Sequence, residues 1–242
     1  MKDHFDNKYI DDIDEEIGNN YFTPILNHVV SQINVKMVCD IGCGNGVFTG
    51  DLKQKISCNL LGVDSSKYAL EKASQLDFDE PIQVDDFNKD RLPIDDKSVD
   101  FVICKDVLEH LIDPIFLTNE IYRILKPNGY LLVHVPNHFP IWGRLKFLFT
   151  NNIDTFSYFP SSNRHDFPHI RFFTLSGMRN LLKISSFNIV ENLSFFFSQP
   201  PLLHRIMPIW FRKFLTKVST DNFSEGITIL AKKMDKKVEV VS

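Results

Sequence analysis

Short apolar runs alternate along this chain with stretches in which apolar residues recur every three or four positions, the rhythm of strands laid between helices. Val35–Ile41 is the first such run, and Asn59–Asp64, Ile82–Phe87, Phe101–Cys104, Tyr130–Val135, Phe187–Val190 (continuing to about Phe195) and Gly226–Ala231 follow. Between them the spacing turns helical. Tyr21, Ile25, Leu26, Val29, Val30 and Ile33 share one face, as do Val47, Phe48, Leu52 and Ile56, and Ala69, Leu70 and Ala73. Asp113 and Pro114 form a cap and first-turn pair that opens a helix through Ile121 and Leu125 to the terminator Lys126-Pro127-Asn128-Gly129. Thr174 or Ser176 would cap a further helix over 175–182. Strands alternating with helices predict an α/β protein built on a doubly wound sheet.

Composition changes this picture little. The chain has 242 residues, 43% of them hydrophobic and 24% charged, as in ordinary globular proteins. A net charge of −4 gives no general attraction to nucleic acid, so no nucleic-acid partner is expected. The four cysteines, Cys39, Cys43, Cys58 and Cys104, form no Cys-x-x-Cys pair, and no leader is read before them, so a reduced cytoplasmic setting is expected. No run of 18 apolar residues exists. Residues 1–16 are acidic and read as a solvated arm.

The chemistry concentrates at the ends of the apolar runs. Asp40-Ile41-Gly42-Cys43-Gly44-Asn45-Gly46 closes the first run with an acid and three alternating glycines. Glycines there permit positive φ and let a ligand lie against bare backbone. A carboxylate at Asp40 would repel a pyrophosphate and could pair with a cationic amine. The nicotinamide fingerprint Gly-x-Gly-x-x-Gly fails in both frames, which place Val47 or Thr49 at the third glycine. Asp64, 18 residues after Gly46, ends the second run, where a carboxylate can accept from both ribose hydroxyls or cap the helix begun by Ser65 and Ser66. Asp85, Asp86 and Phe87 end the third.

The Asp-x-Gly-x-Gly-x-Gly turn resembles the first motif of class I S-adenosylmethionine (SAM) dependent methyltransferases. Leu92–Ile103 resembles the same family's turn into the fourth strand, and Arg123–Asn137 its landmark around the fifth. The resemblance implies a Rossmann-like seven-stranded sheet of order 3-2-1-4-5-7-6 with an antiparallel last strand. It implies SAM as cofactor, with Asp40, Gly42, Gly44, Gly46, Asp64, Ser65, Asp86, Phe87 and Lys105 as its binding residues. Asp86 is favoured for the adenine amino group, with Asp85 as the alternative. Tyr9 and Tyr21 are possible cap residues over the cofactor. A single domain is expected, with residues 1–34 as a cap, 35–136 as the cofactor-binding core, and 137–173 and 196–224 as substrate-side insertions.

Leu108-Glu109-His110 resembles a segment of ubiquinone-type small-molecule methyltransferases. His110 could act as a general base, or join Asp106 and Glu109 around a metal, and of the two no metal is the expectation. His138 and His169 are the other candidate catalytic groups, with Asn137, Arg144, His165 and Arg171 as substrate contacts. Four histidines, 110, 138, 165 and 169, could converge on one mouth. An alcohol acceptor would profit from such a base, whereas a phosphate or carboxylate acceptor would call on Arg144, Lys146, Arg164 and Arg171. His169–Thr174 resembles methyltransferases near the methionine-biosynthesis W-type proteins, many of them tied to surface polysaccharides. That implies O-methylation of a sugar or of a phosphorylated or nucleotide-activated precursor. Residues 199–219 carry five cationic or potentially cationic residues and no acid. Their aromatic face is expected to pack on the domain and cover the substrate site, with contact to an anionic membrane surface as the alternative.

Overall fold

The computed structural model describes residues 22–150, 169–194 and 207–235. Tyr9, Tyr21, Arg164, His165 and residues 199–206 lie outside them. Seven strands form one sheet: β1 Met37–Ile41, β2 Asn59–Asp64, β3 Glu80–Gln83, β4 Val99–Lys105, β5 Leu125–Pro136, β6 Phe187–Asn192 and β7 Gly226–Lys233. Their order is β3-β2-β1-β4-β5-β7-β6, and β7 runs antiparallel to both β5 and β6. Order and direction are those expected from the sequence.

The strands read as nearly continuous apolar runs because both faces are covered. One face carries Cys39, Ile41, Val63, Val102, Cys104, Leu131 and Val133. The helices α4 (Pro114–Ile124) and α6 (Leu175–Ile184) bury Leu117, Ile121, Met178 and Leu182 against that face. The opposite face carries Val38, Leu60, Phe101, Ile103 and Leu132, and α1 (Phe22–Val30) closes it with Phe22, Leu26 and Val29. Asp113 caps α4 by accepting from the Ile115 and Phe116 amides, and Thr174 caps α6 by accepting from the Gly177 amide. Asp100 accepts from the Lys36 and Met37 amides and pairs with Lys126, joining the entries of β1, β4 and β5.

Two local expectations are corrected. The glycine turn does not lead at once into a helix, since only Leu52–Lys55 (α2) is helical. The amides of Thr49 and Gly50 bond back to the Gly46 carbonyl and make successive turns, so Val47 stands 40% exposed rather than on a buried helical face. β3 stops at Gln83 because Asp86 forms its own turn, its carboxylate accepting from the Asn88 amide while its amide donates to Asp90. Within the two insertions lie α5 (Ile141–Thr150), α7 (Ile209–Val218) and α8 (Thr220–Phe223). The helix after β2, Lys67–Ala73, is α3.

Candidate active site

The carboxyl ends of β1, β2, β4 and β5 lie side by side, where ligands settle in open parallel sheets. Gly42, Gly44 and Gly46 take φ values of +72°, +55° and +84°, a left-handed series that L side chains rarely adopt. At Gly42 a Cβ would stand 2.2 Å from Val107 Cγ2, so that turn tolerates only glycine. Asp64 fastens the turn from the neighbouring strand. Its Oδ2 accepts from the Gly44 amide at 2.8 Å and its Oδ1 from the Ser66 amide at 2.9 Å. Ser66 rather than Asp64 caps α3, accepting from the Ala69 amide. Ser65 is buried beside it.

Asp40 is buried and accepts a hydrogen bond from Thr49 Oγ1 at 2.5 Å. Burial pushes its pKa up to about 7, against the opposing pull of that hydrogen bond and of Lys105, while the charge of Asp64 adds to the rise. A carboxyl held in this state is poised to ionise when a cation arrives. Thr49 was not among the residues expected from the sequence. Its only signal was position, nine residues after the acid it serves.

Lys105 ends β4 with its ammonium 4.1 Å from the centre of the Phe48 ring and paired to Asp106. Asp106 adopts φ +55°, and His134 lies 3.4 Å from its carboxylate. Although burial opposes it, the charge of Lys105 and then that of His134 hold the Asp106 pKa down, near 2. His134 is buried on β5, its Nδ1 2.7 Å from Thr228 Oγ1 on β7, and burial drops its pKa to about 4. The chain Thr228–His134–Asp106–Lys105 thus sets the floor of the mouth. His134 looks in the sequence like one more residue of an apolar strand, so sequence reasoning missed it.

Asp86 accepts from both the backbone and side-chain amides of Asn88, and despite partial burial these bonds and Lys89 keep its pKa low. Phe87 is buried in the core. The structure places this pair in the turn that follows β3.

On the other side of the mouth three of the four candidate histidines meet. The rings of His110 and His169 lie 4.8 Å apart edge to face, and His138 Nε2 is 2.7 Å from His169 Nδ1. The cause is a backbone clamp: the amides of Ile170 and Arg171 both donate to the Glu109 carbonyl, at 2.9 and 3.0 Å. Glu109 is fully buried, and its Oε1 is 4.0 Å from His169 Nε2. Burial lowers the His138 pKa to about 4, with the charge of His110 acting the same way.

Three expected substrate contacts hydrogen-bond to this chain's own backbone. Asn137 is buried, and its Nδ2 donates to the carbonyls of Asp221 and Ser224 while its Oδ1 accepts from the Phe139 amide. It ties the end of β5 to the α8–β7 turn. Arg171 donates to the Leu111 and Ile112 carbonyls, and Arg144 to the Phe139 carbonyl. Both exposed side chains brace loops through these bonds. The packing expected of the second insertion is also corrected. On α7 the aromatic stripe Trp210, Phe214 and Val218 stands 70%, 55% and 62% exposed. Among the described residues Thr216 on α7 and Thr220 on α8 are buried and Phe211 and Leu215 half-buried, with Asn192 donating to the Thr220 hydroxyl. That hydrogen bond ties the segment to the sheet, and the Trp210–Phe214–Val218 stripe is left outward.

An acid-and-glycine turn after β1, an acid after β2 and a seven-stranded sheet with one reversed strand define the class I methyltransferase architecture. Residues 39–133 match the family model described as a methyltransferase domain. The chain is 27% identical over 128 residues to a ubiquinone biosynthesis O-methyltransferase of Pasteurella multocida, covering 46% of this chain and 52% of that one. It is 31% identical over 101 residues to a malonyl-[acyl-carrier protein] O-methyltransferase of Marinomonas, covering 40% and 36%. The chain spans about half the length, or less, of such curated relatives. Among solved structures it resembles a putative methyltransferase of Haloferax volcanii held in complex with a Trm112 activator. The TM-score is 0.65 at 20% identity over 95% of this chain and 97% of that one. A possible histamine N-methyltransferase of Thermotoga maritima gives 0.61 at 20% identity, over 96% and 100%. At these identities the structural likeness speaks for the fold.

SAM suits the residues present. Asp40, raised by burial, is the kind of acid that an ammonium or sulfonium would relieve, and the left-handed glycine turn beside Asp64 exposes backbone to a nucleoside.

Proposed function

We propose that this chain is a SAM-dependent methyltransferase that methylates an oxygen of a small molecule. The observation that carries this reading is that both groups gather at the carboxyl end of the sheet. Asp40 with its glycine turn and Asp64 end β1 and β2, and His110 and His138, which meet at His169, follow β4 and β5. Bound SAM supplies a methyl group on a positively charged sulfur. The protein's part is then position and exclusion of water, which together can account for about 7–11 kcal/mol of barrier. Asp64 holds the ribose side and Asp40 the cationic side. His110, half-buried at the edge of the cluster, takes the acceptor's proton, and His169 completes that face.

The acceptor we favour is a sugar hydroxyl, on a free or nucleotide-activated precursor of a surface glycan. Arg144 and Arg171 are engaged on backbone carbonyls, which argues against a phosphate oxygen as the reacting group. The resemblance around His169–Thr174 supports the sugar class. Calorimetric titration with S-adenosylhomocysteine tests the cofactor half, and should give micromolar affinity that Gly44→Arg abolishes. With an acceptor found by screening for S-adenosylhomocysteine release, His110→Ala should lower turnover while leaving cofactor affinity intact. A well-folded protein that ignores S-adenosylhomocysteine would overturn the proposal.

A second reading concerns where the enzyme works. Trp210, Phe214 and Val218 recur every four residues on α7 as one outward stripe, with Lys213 and Lys217 beside it. Among the described residues no helix is long and apolar enough to cross a membrane. Such a helix fits the surface of an anionic bilayer, where the acceptor would be lipid-linked. Sedimentation with phosphatidylserine vesicles should retain the protein at low salt, release it at high salt, and fail after Trp210→Ser with Phe214→Ser. Absence of binding at low salt would leave a soluble acceptor only.

A further inference from the structure

The buried end of the histidine cluster has a composition that proton transfer alone does not require. Glu109 is fully buried at the short helical turn Leu108–His110, two residues before the chain leaves the mouth. Its carboxylate, one nitrogen of His110 and one of His169 all lie within 4.8 Å of one another. The three come from two segments far apart in sequence. They are held together by the paired amide bonds of residues 170 and 171 to the Glu109 carbonyl, and by Arg171 reaching back to the carbonyls of Leu111 and Ile112. The donors are therefore placed by main chain, not by chance contact of flexible side chains.

We propose that Glu109, His110 and His169 form a divalent metal site on the acceptor side of the mouth, with His138 as the residue that orients His169. One carboxylate and two imidazoles make a three-ligand set that leaves open positions for water or substrate oxygens. Metal bonds of about 2.1 Å place neighbouring donors about 3 Å apart and opposite ones about 4.2 Å apart. The 4.0 Å between Glu109 Oε1 and His169 Nε2 falls inside that range, and the other donor separations, all within 4.8 Å, would contract on binding. The contact between His138 Nε2 and His169 Nδ1 is the outer hydrogen bond that ligating histidines characteristically make: with Nδ1–H donated to His138, the Nε2 lone pair of His169 faces Glu109. Asp106, whose carboxylate feels the charge of His110, adds negative potential nearby. Mixed nitrogen and oxygen donors suit Mn²⁺ or Zn²⁺ better than the all-oxygen preference of Ca²⁺.

Resting on the methyltransferase reading, the site replaces the base role given to His110 there, since an imidazole on a metal has no free lone pair and the metal would itself lower the pKa of a bound hydroxyl; it also narrows the acceptor. Two adjacent open positions bind two oxygens in a five-membered chelate, so the favoured acceptor carries a vicinal diol. The metal would fix which of the two hydroxyls faces the methyl donor.

The test uses the full chain after chelator treatment and dialysis. Mn²⁺ is added, and the free-ion signal is followed by electron paramagnetic resonance, with Zn²⁺ as competitor. The expected result is one equivalent bound, displaced by Zn²⁺. Glu109→Gln and His169→Ala should each remove the bound equivalent. His138→Ala should weaken binding roughly 10- to 100-fold, as loss of an outer-shell partner does. Circular dichroism of every variant shows whether it is folded, S-adenosylhomocysteine titration reads the cofactor site separately, and His110→Asn provides a less buried replacement should Glu109→Gln unfold. Wild-type protein that binds S-adenosylhomocysteine but no Mn²⁺ or Zn²⁺ would overturn the metal site alone. Undiminished metal binding in the folded variants would also overturn it. Metal binding lost in those variants by a protein that ignores S-adenosylhomocysteine would support the site and refute the methyltransferase reading.

Discussion

Replacing Asp40 by Asn isolates the largest electrostatic strain of the cofactor side. The acid is 4% exposed, and its pKa rises from 3.8 to about 7, chiefly because burial penalises the charged form. The folded state therefore holds this proton more tightly than the unfolded chain. Its stabilising contribution is complete below about pH 4 and is lost as pH rises through about 7. At about 1.4 kcal/mol per pKa unit the whole span amounts to about 4 kcal/mol, of which about 3 fall between pH 5 and pH 8. Asn keeps an oxygen to accept from Thr49 Oγ1 and cannot ionise. Urea unfolding at pH 5 and pH 8 should show the wild type losing about 3 kcal/mol more than Asp40→Asn over that interval. Saturating S-adenosylhomocysteine, which brings an ammonium, should shrink the difference, because a nearby cation favours the carboxylate. Parallel pH dependence in the two proteins without ligand would refute the reasoning, since it would mean that Asp40 ionises as easily folded as unfolded.

Gly46→Ala should cost both stability and cofactor affinity. At φ +84° its Cβ would meet Phe78 Cε2 at 2.6 Å and the Ala73 backbone at 3.4 Å, and thermal unfolding with S-adenosylhomocysteine titration would read both losses. Asn137→Ala leaves buried carbonyls at Asp221 and Ser224 without their donor, so a loss of about 2–3 kcal/mol in urea unfolding is expected, with cofactor affinity near that of the wild type. His134→Phe removes the imidazole between Thr228 and Asp106 and should lower turnover more than stability; unchanged turnover would show that the floor of the mouth is inert.

The strands and the acids at their ends were legible in the sequence because they are local, whereas the strand order came with the family resemblance. A run of apolar residues, the acid that ends it and the glycines after it are neighbours along the chain. The histidine cluster was half legible: His110, His138 and His169 stood out as residue types, but nothing in their spacing pairs His138 with His169 or brings Glu109 to both. Those contacts depend on the amides of Ile170 and Arg171 closing on one carbonyl 61 and 62 residues away. Asn137 and Arg171 misled for the opposite reason. Polar residues beside a mouth look like ligand contacts, and only the fold reveals that unsatisfied carbonyls in the returning segments claim them first. The same holds across α7 and α8, where Thr216 and Thr220 are buried while Trp210 and Phe214 stay exposed.

The 2.7 Å contact between His138 and His169 joins the two ends of a thirty-residue excursion, residues 139–168. A loop whose ends are already closed changes its closure entropy only slowly with length, by about 0.6 kcal/mol per doubling. Descendants of this gene can therefore lengthen, shorten or exchange that excursion, and so try new acceptors, while both histidines stay where the main chain has put them.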